Sequence, residues 1–468
     1  MNPPPDTSPA GHAPHGARPD ADAPALVIVD GLRTPFCRFN TDLATLSAVD
    51  LARVCATALL LRHGVEPASI DEVVFGCVSQ PVDSANPARV AALRSGLPAG
   101  VPAATVQRNC ASGLEALFTA HQRLAAGHGE VFLIGGMESM SQVPLYVSAL
   151  GRVRFEALAA ARTPWAKLAA LASFRPRHLA PVIGLKLGLT DPFSGLNMGE
   201  TAELLAREFS ITRADQDGFA LQSHRRADRH RETHAGEIAA VFPVNGSAPG
   251  DPVTADNGIR PDTNLDSLAR LKPAFDRRGG GTVTPGNSSQ ITDGAAALLV
   301  AGEHAARRHG WPVLARVIDY AVTGCDPERM GLGPVRAIAE ACRRTGLGLD
   351  DADVIEINEA FAAQVLAVCK AMSDPTAARM AGLDEPLGQL DPARLNRRGG
   401  AIAFGHPVGA TGARLILSAA RQLRATGGRH ALVSVCIGGG QGVALWLENP
   451  AAGTPHPDEP IHSPKPKS

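Results

Sequence analysis

The sequence predicts an α/β protein of two similar halves, with helices buried between layers of sheet. Three observations predict it. Short apolar runs alternate with amphipathic helical runs in both halves, as in strand–helix units joined into a parallel sheet. The stretch GLEALFTAHQRLAAGHGEVFLIGG (113–136) shares its helix, glycine turn, strand and terminal glycines with GARLILSAARQLRATGGRHALVSVCIGGG (412–440). That is an internal duplication at long period. Between them lies a middle segment, roughly 147–281, that has no counterpart in the second half.

Size and composition bound the rest. A chain of 468 residues, 44% hydrophobic, exceeds the usual single domain, so two or three packed units are expected. A net charge of -1 gives no bulk electrostatic case for nucleic acid. Eight cysteines without paired spacing do not form a disulfide framework, which favours a reducing compartment and a cytoplasmic protein. No C-x-x-C pair or His/Cys cluster points to a metal. Residues 1–24 and 450–468 read as disordered tails, the first without the apolar core of a signal peptide. No run is long and apolar enough to span a membrane.

The folded part should begin with a buried strand at 25–30, followed by a turn at Arg33-Thr34-Pro35-Phe36. A helix is expected over 46–61, a strand over 70–77, a short helix over 86–93 and an approach strand at 104–106. A helix follows Cys110 to about 126, and 131–139, with Gly135-Gly136, should be a strand ending in a glycine turn. In the middle segment 198–208 and 212–231 read as helices, with Thr212 and Asp215 spaced as a capping box. Residues 282–287 look strand-like, and the apolar run 295–300 should rejoin the first sheet. The N-terminal half is therefore 25–146 plus 282–302, carrying 147–281 as an insertion, and the C-terminal half is 303–449. In that half, strands are expected over 313–318, 352–357 and 430–436, with helices over 334–344 and 409–423.

Reactive side chains fall at the ends of these elements. Cys110 stands where a helix starts, among unpaired N–H groups and the positive end of the helix dipole. Both favour thiolate, the nucleophilic form. Asn358 follows a strand, His406 sits in the tight turn Gly405-His406-Pro407, and Cys436 ends a strand before Gly438-Gly439-Gly440. Ligands of open α/β sheets bind at the carboxyl ends of strands. A histidine near Cys110 would activate it, a second cysteine could move a proton, and the N–H groups of Cys110 and Gly438 could stabilise an oxyanion.

The stretches QRNCASGLEA, NMGETAE, GTVTPGNSSQITDGAAALL, NEAFAAQ, GGAIAFGHPVGATGAR and CIGGGQGVAL together resemble the thiolase family of acyl-CoA acyltransferases over most of 25–449. The resemblance implies a layered αβαβα fold of duplicated halves with an inserted CoA-binding loop domain. It implies cleavage of 3-oxoacyl-CoA to acetyl-CoA and a shortened acyl-CoA, or the reverse Claisen condensation, including the biosynthetic making of acetoacetyl-CoA. Cys110 would carry the acyl group as a thioester and His406 would accept its proton. Cys436 would exchange a proton with the acetyl-CoA α-carbon. Asn358 would hold a water that forms one oxyanion hole with His406, and the N–H groups of Cys110 and Gly438 would form the other. Ser289 matches a serine that meets pantetheine, while Arg260, Phe275, Met198 and Phe361 align with residues near the nucleotide, pantetheine or acyl group. CoA and acyl-CoA are substrates, no resident cofactor is implied, and a homodimer or homotetramer is expected.

Two features depart from the pattern. Asn197 stands where many thiolases carry a histidine of the short-chain pocket, which puts a preference for acetoacetyl-CoA in doubt. Residues 151–190 resemble the longer loop of thiolase subunits in fatty-acid oxidation complexes, with seven Lys and Arg against a single acid, Glu156. Such a basic amphipathic stretch lies on a membrane surface, docks on a complex partner, or covers the loop domain with its cations near the CoA phosphates. A ketosynthase, which shares the fold, lacks a second cysteine equivalent to Cys436. A non-catalytic acyl-CoA-binding subunit would be expected to lose one of Cys110, His406 and Cys436, and none is lost.

Overall fold

The first half contributes strands β1 (Leu26–Arg33), β2 (Glu72–Gly76), β3 (Ala103–Val106), β4 (Val131–Glu138) and β5 (Thr292–Gly302). The second contributes β6 (Ala315–Gly324), β7 (Ala352–Ile357), β8 (His430–Ile437) and β9 (Gln441–Glu448). These positions come from a computed structural model that describes residues 24–453 apart from 246–247 and 277–278; the tails expected at either end lie almost wholly outside the described residues. The order across the sheet is β7-β8-β9-β6-β1-β5-β4-β2-β3. From the middle outward, each half repeats the other: β1-β5-β4-β2 and β6-β9-β8-β7. The sequence duplication is thus a repeat of strand order, with β4 matching β8.

Two expectations need correcting. The sheet is mixed: β2 runs parallel to β3 and β4, and β7 to β8, while β1, β5, β6 and β9 pair antiparallel with their neighbours. Burial on both faces makes strands such as β4, β5 and β8 plain apolar runs, so their direction is not written in their pattern. The halves are also continuous, because β1 pairs with β6 at Val27–Arg316 and Ile28–Ala315.

Helices fill three layers. Helix α1 (Ala48–Arg62) packs on the outer face of the first half through Val49, Leu51 and Leu59. Helix α2 (Ser112–Ala125) lies in the central core with Leu114, Leu117 and Phe118, and the Phe118 ring stacks on Tyr320 of β6 at 3.7 Å. The remaining named helices are α3 (Ala149–Ala160), α4 (Pro164–Ala172), α5 (Met198–Glu208), α6 (Arg213–Arg229), α7 (Gly333–Thr345), α8 (Ala362–Ser373) and α9 (Val408–Thr426). Helix α9 joins α2 in the central core through Leu415, Ile416 and Leu417. Helices α7 and α8 cover the second half through Val335, Ile338, Val365 and Val368. The result is αβαβα.

Glycine sets how closely the central layer packs. A Cβ at Gly113 of α2 would stand 2.5 Å from the Ala413 amide nitrogen of α9. One at Gly136 would collide with the Gly409 carbonyl. Both Gly135 and Gly136 lie inside β4 and not in a turn: Gly135 packs against Ala296 of β5 and Phe75, and α9 crosses at Gly136.

In the middle segment, α5 is capped by Asn197, whose Oδ1 accepts from the Gly199 and Glu200 amides at 3.0 Å each. The Thr212–Asp215 capping box is present on α6. Buried Arg33 of β1 ties this segment to the first half, meeting Glu237 at 2.7 Å and Asp256 at 2.6 Å. Residues 282–287 form a turn and not a strand, because side chains take their N–H groups: Glu203 accepts from Thr282 and Val283, and Asn287 from Thr284. Helices α3 and α4 bury little: α4 has no buried residue and α3 only Gly151. They stand on a hairpin of Leu145–Val147 with Pro181–Ile183.

Candidate active site

Hydrogen bonds tie the Cys110 turn to the turn after β8, and the Asn358 turn both to β8 and to His406. Cys110 lies two residues before α2, in a turn strained by Asn109 at φ 43°. Asn tolerates the left-handed region because its short polar side chain bonds locally. Here Asn109 Nδ2 donates to the Gly438 carbonyl at 2.8 Å, and Arg108 reaches Gln441 at 3.1 Å. Ser112 closes the turn, its hydroxyl donating to the Asn109 carbonyl at 2.7 Å and accepting from the Arg108 amide at 2.9 Å. The Cys110 turn is thereby pinned to the turn between β8 and β9, where Gly439 and Gly440 adopt φ of 90° and 82°.

That pinning places the Gly438 and Cys110 N–H groups on the Cys110 sulfur. Burial nevertheless outweighs both and pushes the thiol above its ordinary value, with buried Glu138 adding to the rise. The N–H groups favour thiolate, as the sequence suggests, but taking the sulfur out of water disfavours its charged form more. A base must remove the proton. Cys436, 1% exposed at the end of β8, is pushed further up by burial and by the neighbouring Cys110 and Cys325 thiols.

His406 has the charge state of a base. Burial, then the Arg414 charge, lowers it to about 3, so the ring is neutral. Thr411 Oγ1 lies 2.6 Å from Nδ1 and 3.0 Å from the Pro407 carbonyl. A hydroxyl has one proton. If Thr411 donates it to Pro407, it must accept from Nδ1–H, which leaves Nε2 with a free lone pair. Asn358 Nδ2 faces Nε2 at 3.5 Å, and the Asn358 amide is anchored to the Ser434 carbonyl, two residues before Cys436, at 3.0 Å. Among the described residues Asn358 Oδ1 is buried without a hydrogen-bond partner, an acceptor suited to a water or substrate donor. The chain from Ser289 to Gln290 joins these parts: the Ser289 amide donates to Ala360 at 2.9 Å and the His406 amide to Gln290 at 3.1 Å.

Of the remaining expected residues, Met198, Phe275 and Phe361 lie in one apolar cluster with Cys436. A Cβ at Gly438 would stand 3.2 Å from Met198 Sδ, and the Phe275 and Phe361 rings meet edge-on at 6.0 Å. Ser289 is half-buried beside Ala360. Arg260 is exposed, its amide donating to His224 of α6 at 3.3 Å. Among the described residues no group of three or more His, Cys, Asp or Glu could hold a metal ion.

Sequence reasoning missed Thr411, five residues after His406, and Glu138, whose carboxylate accepts from the Ser79 amide at 2.8 Å and the Gly409 amide at 2.9 Å. It also missed the roles of Asn109 and Ser112, although both stand inside the Cys110 motif. Only a polar residue at a buried strand end could have flagged Glu138 in advance.

A pocket with two thiols, a neutral histidine and converging N–H groups is that of an acyl-transferring enzyme. Residues 26–304 match the model for the thiolase N-terminal domain and residues 311–449 that for the thiolase C-terminal domain. The chain is 40% identical to the beta-ketoadipyl-CoA thiolase of Pseudomonas knackmussii over 90% of this chain and 98% of that protein. It is 40% identical to the mitochondrial trifunctional enzyme subunit beta of Bos taurus, over 90% and 88%. The crystal structure of human mitochondrial 3-ketoacyl-CoA thiolase in complex with CoA superposes with a TM-score of 0.77 at 35% identity, covering 91% of this chain and 98% of that one. The protein belongs to the thiolase family.

Proposed function

We propose that the protein catalyses CoA-dependent thiolysis of 3-oxoacyl-CoA, and its reversal, through an acyl group on Cys110. His406 Nε2 takes the Cys110 proton as the sulfur attacks the 3-oxo carbon. The N–H groups of Cys110 and Gly438 receive the charge that develops on the 3-oxo oxygen, and Asn358 with His406 receives the enolate charge on the acetyl-CoA thioester oxygen. The C2–C3 bond then breaks, and its electron pair leaves as the acetyl-CoA carbanion, which takes its proton from the Cys436 thiol. CoA loses its thiol proton to Cys436, attacks the acyl-Cys110 thioester and departs as shortened acyl-CoA, and Cys110 regains its proton from His406. Cys110, His406 and Cys436 end in their starting protonation states, and the proton gained by acetyl-CoA is balanced by the one that the CoA thiol gives up.

The observation that carries this reading is the contrast between the two thiols. Cys110 receives two N–H groups, whereas Cys436, in an apolar cluster beside it, has only its own backbone N–H. One is built to bear charge as a nucleophile. The other stays protonated until the substrate needs its proton. Met198, Phe275, Phe361 and Ser289 are the contacts proposed for the acyl and pantetheine parts, and Arg260 for the nucleotide. Membership of the family supports a homodimer or homotetramer, and eight free cysteines support a reducing, cytoplasmic setting.

The test is CoA-dependent cleavage of 3-oxoacyl-CoA esters from four to sixteen acyl carbons, with mass spectrometry of the trapped enzyme. Cleavage with acyl mass on Cys110 supports the proposal. Cleavage with the acyl group elsewhere, or none at any length, refutes it.

A further inference from the structure

We propose that the arm formed by residues 145–193 seats the protein on an anionic lipid surface. Of the 23 large apolar residues exposed in the described structure, 13 fall within this arm, Trp165 at 80% and Phe193 at 88% among them. Inside the arm, Phe155 and Phe174 pack at 5.0 Å, while Leu150, Val153, Leu168 and Leu171, like Trp165, are exposed. A nine-residue helix such as α4, with no buried residue, is not stable in water on its own, because helices this short depend on tertiary packing of an apolar face. Something must cover it.

Charge selects the cover. Residues 151–190 hold seven Lys and Arg against one acid. A second copy docked by the same face across a two-fold axis would set seven cations against seven. An anionic bilayer surface offers counter-charge and apolar depth together, and Trp165 between Arg162 and Lys167 matches the aromatic and basic pattern of helices lying in the interface plane. No helix among the described residues is long and apolar enough to cross a membrane, so the arm lies on the surface and does not span it.

The experiment floats the full-length protein with phosphatidylcholine vesicles, with and without phosphatidylglycerol. Binding to the anionic vesicles and not to phosphatidylcholine alone is expected. Each cation near an anionic surface strengthens binding about fivefold, so Arg162→Gln with Lys167→Gln should weaken it roughly 25-fold. Trp165→Ala should weaken it independently, and both variants should cleave 3-oxoacyl-CoA normally. Failure to bind anionic vesicles, or binding indifferent to both variants, overturns the proposal. So does a Trp165→Ala variant that changes oligomer size or releases a bound protein partner while wild type ignores vesicles. Because the readout is vesicle binding, its failure leaves the thiolase proposal standing.

Discussion

Thr411 offers the sharpest test of how the histidine is set. Its hydroxyl has one proton; with that proton given to the Pro407 carbonyl at 3.0 Å, the 2.6 Å contact with His406 runs from Nδ1–H to Thr411 Oγ1. Thr411→Val keeps the shape and removes the acceptor. The ring is then left with a buried, unsatisfied N–H, or it moves its proton to Nε2 and ceases to be a base. The first option costs about 1–3 kcal/mol, and the second avoids that cost by disabling the catalyst. Acylation should therefore slow by roughly 5- to 160-fold at 1.36 kcal/mol per decade. Rapid-quench measurement of acyl-enzyme formation reads this step directly. Thr411→Ser should restore most of the rate, and KM should move less than kcat, because Thr411 positions the base and does not touch substrate. Wild-type acylation by Thr411→Val, with an unchanged pH profile, would show that the tautomer is set by something else.

The two thiols should separate in variants: Cys110→Ala loses acyl-enzyme formation, while Cys436→Ala still acylates but no longer condenses acetyl-CoA. Condensation by Cys436→Ala at the native rate means that another group moves the proton. With the Cys110 thiol raised by burial above its ordinary value of 9.0, alkylation by iodoacetamide should climb about tenfold per pH unit from 7 to 9; a plateau below pH 7 would reveal a resting thiolate. His406 is lowered from 6.5 to about 3 in the fold, so its unfolded form takes up a proton that the native form refuses. Its contribution to stability is complete above pH 6.5 and is lost on acidification, by about 1.4 kcal/mol per pH unit down to pH 3. Urea unfolding at pH 7, 6 and 5 should show that slope, and His406→Gln should reduce it; equal slopes would contradict the buried, neutral ring. Arg33→Met leaves Glu237 and Asp256 buried without their cation, at a cost of about 3–5 kcal/mol. Denaturant midpoints within error of wild type would rule that out.

Local chemistry carried far in this chain. The helix after Cys110, the Thr212–Asp215 cap and the match between 113–136 and 412–440 are all written in apolar spacing and turn residues, which act over one or two turns of chain. The reactive residues were legible too, because Cys110, Asn358, His406 and Cys436 each sit in a glycine- or asparagine-marked break. What spacing cannot write is direction and company. A strand buried on both faces carries the same apolar run whether its neighbour is parallel or antiparallel, so the mixed sheet and the β1–β6 junction came only from the fold. The glycines of β4 resemble a turn until β5 and α9 are seen to pack against them. The charge state of Cys110 likewise depends on more than its own stretch. A helix start is local, but burial is the sum of everything packed around the sulfur, and here burial wins. The Thr411 contact that sets the histidine tautomer depends on the turn at Pro407, and the orphaned Asn358 oxygen on the convergence of strand ends. Both are properties of the packed protein and not of any one stretch of it.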